Sequence, residues 1–556
     1  MPPCPRPGLL STSAARPVRI EELKPTKRKR PGPQKPEPVK RAAPEPAALP
    51  ELPERTWRMA AAAILAAGAL LRLYDLSLKP IHHDEGVNGI FLARLLHEGY
   101  YRYDPANYHG PTLYYLALLV ARVNGLFNGD GLSDASIRVI VALFGIATIG
   151  LVLWMRKLIG SRGALVAAAL IALSPGAVFY SRYFIHETLF VFFTLAMAVC
   201  GWLAWERSDP GYLPIAALAA AFLFATKETA LVSIVVLGMA VVTQRVWIRL
   251  REGAPPGPGI AQPFRGWQHG ALYALLGAVV FAAVFVVLYS SFFTNFPQGI
   301  YDALKSLSIW TKTGFTMEFY PKYAYIDWMF REEWPFLLLA VAGTAVAVWN
   351  APRGFACFAG IWAAGLFAAY TLIPYKEPWL ALNFTIPAAV AAGYGAAHVW
   401  ARARGDNLRA VRLAGAAACA ILLYQTIHLN FVRYDDQDEP YVYMHTTREV
   451  NGLVGDVRAM SLLTRAGNKM AIAIMAPEYW PLPWYLRDFK NTGYWGRIVD
   501  TDAPVVIGSK EQTSELFSRL GADYHFTEAC NLRPGVTLVL FTKRQGKLAS
   551  PAPKGR

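Results

Sequence analysis

The amino-acid sequence predicts an α-helical polytopic membrane protein that ends in a small α/β domain outside the membrane. Charged residues make up only 17% of the 556 residues, whereas roughly 25% is usual in soluble proteins. Apolar runs of about 20 residues recur along most of the chain, and each is long enough to cross a bilayer. From residue 434 onward the pattern changes to short strand-like runs and one amphipathic helix.

Residues 1–56 form a tail rich in proline, alanine and basic residues, which includes "KPTKRKRPGPQKPEPVKR". Such a segment cannot bury a core, so we expect it to be disordered, as we do for residues 547–556. No apolar run lies near its start, which argues against a cleavable signal peptide. Much of the net charge of +16 lies in this tail and in short loops. We interpret these basic residues as topology signals that contact anionic lipid, and not as a nucleic-acid surface.

Residues 57–433 are predicted to form the membrane domain, with about eleven spanning helices. These lie near 57–76, 135–155, 163–180, 187–205, 212–226, 229–247, 269–290, 335–350, 355–373, 380–400 and 409–430. The first outer loop, 77–133, contains "GPTLYYLALLVARVNGLF", which is short and amphipathic and is expected to lie in the membrane interface. An odd number of spans places the two termini on opposite sides of the membrane.

Loop charge predicts the orientation. The basic loops "MRKLIGSR", "TQRVWIRLRE", "NAPRG" and "ARARGDNLRAVR" all follow even-numbered spans, so the positive-inside rule places them, with the N-terminus, in the cytoplasm. The other loops, among them "HHDEG", "YSRYFIHE", "TKE" and "PYKEPW", are then extracytoplasmic. The carboxylates and the remaining basic residues therefore gather on the outer face of what we expect to be a plasma-membrane protein.

Residues 434–546 are predicted to form the extracytoplasmic α/β domain. The runs "KMAIAIMA", "APVVIGS" and "VTLVLFTK" are typical of strands, and "KEQTSELFSRLGA" is typical of a helix that ends at a glycine. The five cysteines of the chain show no metal-type spacing, so we expect no disulfide framework and no cysteine metal site.

The segment "HHDEG" places His82, His83, Asp84 and Glu85 directly after the first apolar run. A metal site is disfavoured, because four consecutive residues cannot all face one ion. A second interpretation is a solvated loop in which Asp84 caps the next helix. We favour a third, in which one carboxylate is a general base that takes a proton from a hydroxyl and the histidines support it.

Two further segments place charges on the predicted outer face. In "YSRYFIHET", Arg182 suits a phosphate group, or it is a snorkelling arginine paired with Glu187. In "FATKETAL", Lys227 and Glu228 form either a charge pair in a helix hairpin or a ligand contact.

The segment "IPYKEPWLAL" places Lys376 and Glu377 between two prolines, with Tyr375 and Trp379 beside them. The lysine offers a point charge for phosphate, and the aromatic rings offer faces for a sugar. The alternative is that the aromatic residues anchor the chain at the lipid interface.

In the C-terminal domain, "APEYWPLPWYLRDF" groups aromatic residues around two prolines. This is either a hydrophobic seam that docks the domain on the membrane part or an aromatic platform for an acceptor carbohydrate. The candidate platform residues are Glu478, Tyr479, Trp480 and Trp484.

The "DE" pair, the interfacial "GPTLYYLALL" and the run "ASIRVIVALFGIATIGLVLWMRKLIGSRGALVAAALIALSPGAVFYSR" closely resemble the GT-C glycosyltransferases. The likeness is to the protein O-mannosyltransferase and lipid A aminoarabinose transferase branch, and it covers about residues 58–430. The set "HDEG", "YKEPW" and "PEYWPLPWYL" resembles a prokaryotic, flippase-associated subgroup linked to archaeal-type N-glycosylation.

This resemblance implies a GT-C fold and a transferase that takes a sugar from a polyprenyl phosphate donor. By carry-over, Asp84 matches the catalytic acid of the family and Glu85 its neighbour, while Arg182 and Lys376 match the positive residues that hold the lipid phosphate. These three groups, Asp84, Arg182 and Lys376, should then border one outer cavity. No cofactor is required, and a divalent metal is possible but not favoured.

The chain lacks the sugar-binding repeats of eukaryotic mannosyltransferases and carries its own α/β domain, so the acceptor stays open between protein, lipid and glycan. Two rival functions are a lipid-linked sugar flippase and a non-catalytic subunit of a glycosylation complex. Charges on one outer face, with no inverted repeat, argue against the flippase. The intact acidic pair argues mildly against the subunit.

Overall fold

The computed structural model describes residues 50–106, 109–126, 131–253, 266–313 and 320–544. Most of the predicted N-terminal tail and all of the predicted C-terminal tail lie outside these residues. The first helix begins at Glu54, so the last residues of the predicted tail, 54–56, are helical. The predicted domain boundaries at 434 and 546 stay predictions.

The helices of the described chain run in this order: α1 (Glu54–Leu73), α2 (His83–Glu98), α3 (Thr112–Val123), α4 (Asp134–Trp154), α5 (Arg156–Ile159), α6 (Ser161–Leu173), α7 (Pro175–Ser181), α8 (Glu187–Glu206), α9 (Tyr212–Phe224), α10 (Ala230–Glu252), α11 (Trp267–Tyr289), α12 (Gln298–Thr313), α13 (Ala324–Asn350), α14 (Phe355–Leu372), α15 (Leu382–Arg402), α16 (Gly405–Ile427), α17 (Val450–Leu463), α18 (Leu482–Tyr485) and α19 (Thr513–Leu520). The strands are β1 (Ala471–Ile474), β2 (Asn491–Tyr494), β3 (Val505–Ser509), β4 (Tyr524–Arg533) and β5 (Val536–Lys543).

Nine helices of the described chain are long and apolar enough to cross a membrane, and the chain is a multi-pass membrane protein. They are α1, α4, α8, α10, α11, α13, α14, α15 with the 3₁₀ turn before it, and α16. The pair α6 and α7 would make a tenth span, bent by 62°. The bend lies where Ser174 caps α7 and Pro175 begins it, because proline favours the first position of a new helix.

Each of the predicted spans therefore contains a helix, but not all reach spanning length. The segment predicted near 212–226 is α9, which has only 13 residues. Helix α3 in the first outer loop has 12 residues, which is too short to cross a bilayer of roughly 30 Å. This length agrees with the predicted interfacial helix, although only its length is tested.

Helix α15 lies at the centre of the membrane part and is buried along nearly all of its length. Small residues allow its neighbours to approach closely: a side chain at Gly393 would clash with the backbone of Gly163, and one at Gly343 would clash with Ala392. Glycine and alanine are typical of such contacts between membrane helices. The tight packing fixes the start of α15, and with it the loop that contains Glu377.

The C-terminal part contains a five-stranded sheet in the order β2-β1-β3-β5-β4. Strand β1 pairs in parallel with β2 and β3, whereas β5 pairs antiparallel with β3 and β4. The three predicted strands correspond to β1, β3 and β5, and the predicted helix corresponds to α19, which ends at Gly521 with a φ of +61°. Strands β2 and β4 were not predicted, because "NTGY" is too short and "YHFTEACNLR" too polar to show a strand pattern.

The C-terminal part docks on the membrane part through the turn and short helix at 480–485. A Cβ atom at Gly89 of α2 would lie 2.6 Å from the ring of Trp484, and one at Gly86 would lie 2.7 Å from Pro481. The hydroxyl of Tyr485 accepts a hydrogen bond of 2.7 Å from the backbone of Ile81. The C-terminal part is therefore fixed directly against the start of α2, which contains Asp84.

Candidate active site

Asp84 lies in the first turn of α2, and its position is set by His82. The Nδ1 atom of His82 accepts a hydrogen bond of 3.1 Å from the backbone N–H of Asp84, and His82 is the N-cap residue. The interpretation of Asp84 as the cap of this helix is therefore wrong, because the His82 imidazole caps α2. The Asp84 carboxylate is partly exposed and makes no hydrogen bond to another described residue.

The environment of Glu85 differs completely from that of its neighbour Asp84. Its side chain is 0% exposed and forms an ion pair with Arg138, with Nε to Oε1 and Nη2 to Oε2 both at 2.7 Å. It also accepts a 2.7 Å hydrogen bond from the backbone of Phe184. Burial raises the pKa of Glu85, but the Arg138 guanidinium outweighs this and holds the pKa below its usual range.

The predicted role of Glu85 as a catalytic partner is accordingly corrected. Arg138 also donates to the carbonyl oxygens of Leu76, Lys79 and Pro80. The buried ion pair thus fixes the path of the loop that leads to Asp84, and Glu85 contributes to the shape of the site without facing it.

The predicted role of Arg182 in binding the lipid phosphate is also corrected. Its side chain is 1% exposed, and its guanidinium donates to carbonyl oxygens at the C-terminal end of α1, including those of Leu71 at 3.2 Å and Asp75 at 2.8 Å. A cation at a helix C-terminus compensates the unpaired carbonyl groups there. Arg182 neither binds Glu187, as the alternative had it, nor presents its donors to an outer cavity.

The two charged residues of the "TKE" turn, Lys227 and Glu228, contact different partners. Lys227 forms a buried ion pair with Glu187 of α8. Glu228 instead accepts a 2.6 Å hydrogen bond from the hydroxyl of Tyr103 and lies 2.8 Å from Nδ1 of His109. The predicted pair of Lys227 with Glu228 is therefore absent, because each side chain finds a partner on a different helix or loop.

The loop between α14 and α15 brings a second carboxylate to Asp84. Burial, reinforced by the negative charge of Asp84, raises the pKa of Glu377 to about 8, while Lys227 acts in the opposite direction. Tyr375 also lowers the pKa of Glu377, and Nζ of Lys376 donates to the Ile373 carbonyl at 2.9 Å.

Asp84, Glu377 and the Lys227 ion pair thus share one electrostatic environment. They come from three parts of the chain that are far apart in sequence. Two carboxyl groups with a lysine in the same environment are a combination that can provide a general base, a protonated acid and a cation for an anionic group.

The aromatic residues divide into buried and half-buried groups. Trp379 is buried, with its ring 6.2 Å from that of His82, and Trp484 is buried and donates a 2.7 Å hydrogen bond from Nε1 to Asp134. Both are therefore core residues, and Trp484 packs against Gly89 of α2. Tyr479 and Trp480 are half-buried, and the ring of Trp480 lies 6.1 Å from that of His83.

Several residues that shape the site were not singled out in the sequence. Arg138 had a signal, since it is a charge inside an apolar run. His445 stacks on His82 with ring centroids 5.6 Å apart and hydrogen-bonds to the carbonyl of Pro80 at 3.1 Å. Arg533 forms an ion pair with Glu478. Nothing in the local sequence indicates these last two contacts.

The sequence and the fold of this chain are similar to those of known proteins. Residues 108–253 match the family model of dolichyl-phosphate-mannose-protein mannosyltransferases. The crystal structure of apo ArnT from Cupriavidus metallidurans aligns with a TM-score of 0.60 at 13% identity, covering 87% of this chain and 98% of that one. The chain has the GT-C fold. The predicted GT-C type of helical membrane fold with a small C-terminal sheet is confirmed, whereas the predicted number of eleven spanning helices is not.

Two other solved structures align similarly. ArnT from the same organism bound to undecaprenyl phosphate gives a TM-score of 0.58 at 14% identity, covering 88% of this chain and 98% of that one. The apo oligosaccharyltransferase of Archaeoglobus fulgidus gives 0.52 at 13% identity, covering 84% and 71%. No curated protein sequence matches this chain. Within the described residues, no group of three or more histidine, cysteine or acidic side chains is arranged to hold a metal ion.

Proposed function

We propose that this protein is an integral-membrane glycosyltransferase that moves a sugar from a polyprenyl phosphate donor to an acceptor hydroxyl on the extracytoplasmic face. The GT-C fold supports the class of enzyme, and the undecaprenyl phosphate in the aligned ArnT structure supports the class of donor. One observation carries the proposal. The partly exposed Asp84 carboxylate and the buried Lys227 ammonium both act electrostatically on the buried Glu377 carboxyl group.

In the proposed reaction, Asp84 is the general base. The acceptor O–H bond breaks as its proton passes to Asp84, and the oxygen forms a bond to the anomeric carbon of the sugar. The bond from that carbon to the phosphate oxygen breaks, and its electron pair leaves with the polyprenyl phosphate. Attack opposite to the leaving group inverts the anomeric centre. Loss of the base is expected to lower the rate by about 10²–10⁴-fold.

Lys227 and Lys376 are the residues that we assign to the donor phosphate, in place of Arg182. Lys227 is buried beside Glu187, and Lys376 is buried in the loop before α15. A positive charge in a site that excludes water stabilises the negative charge that develops on the leaving phosphate far more than it would in water. Divalent metal chemistry is not required by this scheme.

Glu377 provides an acid next to the base. With a pKa of about 8, it is mostly protonated at pH 7 and donates a hydrogen bond to a phosphate oxygen or a sugar hydroxyl. Two carboxyl groups with different environments then have different roles, one as a base and one as a neutral donor.

The test uses purified protein in nanodiscs, with radiolabelled polyprenyl phosphate sugars and membrane extract as the acceptor source. Wild type, Asp84→Asn and the exposed control Asp488→Asn are compared for transfer and for donor binding. We expect transfer by wild type and control, and donor binding without transfer by Asp84→Asn. Movement of lipid-linked sugar across the bilayer of sealed vesicles that contain the protein, with no transfer, would instead identify a flippase. Normal transfer by Asp84→Asn would remove Asp84 as the base.

A further inference from the structure

The C-terminal sheet places a half-buried tryptophan next to the residue that precedes Asp84. The ring of Trp480 lies 6.1 Å from that of His83 and stacks at 6.2 Å on Tyr479. By contrast, Trp379 before α15 and Trp484 in α18 are buried. Part of the Trp480 ring is therefore accessible to a ligand, whereas the rings of Trp379 and Trp484 are not.

Arg533, at the end of β4, holds this tryptophan in place. Its guanidinium donates a 2.6 Å hydrogen bond from Nη1 to the backbone carbonyl of Trp480 and forms an ion pair with Glu478. The Arg533 side chain is 7% exposed, so water does not compete freely for these bonds. One side chain thus fixes the residues on both sides of Tyr479.

The same arginine interacts electrostatically with the site in the membrane part. Burial lowers the pKa of Arg533, and the negative charges of Glu478 and Asp84 oppose this effect. Burial likewise lowers the pKa of His83, which interacts with Asp84, Arg533 and Glu478. Trp480 and Glu478, both held by Arg533, thus lie on the side of His83, the residue directly before Asp84.

This combination of groups suits a sugar ring. The apolar C–H face of a pyranose packs on an aromatic ring, while carboxylate and imidazole groups bind its hydroxyls and fix its orientation. Most of the Glu478 side chain is exposed, at 63%, so its oxygens are accessible to a ligand as well as to Arg533.

We propose that Trp480, His83 and Glu478 form a sugar-binding subsite supplied by the C-terminal sheet, with Arg533 as its positioning residue. This inference rests on the proposed transferase function and deepens it. The bound sugar is either that of the donor or a ring of a glycan acceptor, and the two sources share the same chemistry.

Steady-state transfer is measured for Trp480→Ala, Trp480→Phe, Arg533→Gln and Arg533→Lys, with donor and acceptor extract varied separately. We expect the KM for one sugar substrate to rise roughly 3- to 10-fold in Trp480→Ala and Arg533→Gln, with kcat changed much less. Trp480→Phe and Arg533→Lys should recover part of the loss. Arg519→Gln, an exposed arginine of the same sheet region that pairs with Glu515, should leave both constants unchanged.

A rise in the donor KM identifies the donor sugar as the ligand, and a rise in the acceptor KM identifies a glycan acceptor. A merely structural role would lower kcat and the amount of folded protein with no change confined to one KM. That result, or unchanged constants in Trp480→Ala, would overturn the inference.

A binding measurement separates this inference from the proposed function. Radiolabelled polyprenyl phosphate sugars and oligosaccharides released from membrane extract are titrated onto Asp84→Asn and onto Asp84→Asn with Trp480→Ala. Weaker binding by the double variant supports the subsite even if wild type shows no transfer. Transfer by wild type with equal binding by both variants would contradict the subsite and leave the transferase intact.

Discussion

At the scale of single residues, adjacent positions in the sequence have opposite environments in the fold. Asp84 is half-exposed at the site, whereas Glu85 is fully buried against Arg138. Helix geometry explains the difference, because consecutive side chains in a helix point about 100° apart. In the proposed mechanism, the pair "DE" therefore combines a reactive group with a structural one.

Glu85→Gln is expected to destabilise the protein and not only to inactivate it. Removing the carboxylate leaves the Arg138 charge buried without its partner, which costs about 3–5 kcal/mol. Thermal unfolding in detergent should show a clearly lower Tm than for wild type, whereas Asp84→Asn should unfold near the wild-type temperature. Glu515→Gln, which breaks an exposed pair, is the control and should change the Tm little. A wild-type Tm for Glu85→Gln would contradict the assigned role.

Glu377 should make donor binding depend on pH. Its pKa is raised to about 8, so the group is neutral below this pH and becomes a second negative charge beside Asp84 above it. A negative charge repels the donor phosphate, so we expect the donor KM to rise as the pH increases through about 8. In Glu377→Gln, which cannot ionise, this rise should disappear. An unchanged pH profile in the variant would mean that another group titrates.

At the scale of elements, the contact between α2 and the 480–485 segment positions the site. Two glycines of α2, Gly86 and Gly89, allow Pro481 and Trp484 to approach its backbone. A helix with larger residues at these positions would hold the C-terminal sheet away from Asp84. Gly86 and Gly89 therefore help to position the site, because they allow the 480–485 segment to pack closely on α2.

Gly89→Ala should displace the C-terminal sheet, because its Cβ would lie 2.6 Å from the Trp484 ring. We expect a loss of stability of about 1–3 kcal/mol from this overpacking, with lower transfer activity. Limited proteolysis and thermal unfolding measure the first effect. The control is Gly201→Ala in α8, where an added Cβ meets nothing within 4 Å and should cause no loss. Equal behaviour of the two variants would argue against the docking contact.

At the scale of the whole molecule, the proposed mechanism requires that the C-terminal sheet and Asp84 face the outside of the cell. The basic loops support this orientation through the positive-inside rule. The membrane part supplies the base and the lysines, and the sheet supplies Trp480 and Arg533, so both must lie on the same side.

Cysteine labelling tests the orientation. In a cysteine-free background, Lys157→Cys in the basic loop after α4 and Lys510→Cys beside β3 both introduce exposed thiols. An impermeant maleimide should label position 510 in intact cells, and position 157 only after the membrane is permeabilised. The reverse pattern would invert the proposed topology and place the site in the cytoplasm.

The sequence by itself determined the membrane class, the apolar helical segments, three strands of the sheet and Asp84 as the candidate base. These follow from hydropathy, periodicity and residue type, which act over one helix or one loop. Strand β2 is too short and β4 too polar to show such a pattern, and the sequence did not reveal them.

Only the tertiary structure decided which charges meet. Glu85 pairs with Arg138, Lys227 with Glu187, and Glu377 lies near Asp84. Arg182 binds the end of α1 instead of a phosphate. These partners are far apart along the chain, and a buried charge takes whichever partner the packing of helices places beside it. The local sequence carries no information about that choice, because the whole fold determines which charged side chains lie close together.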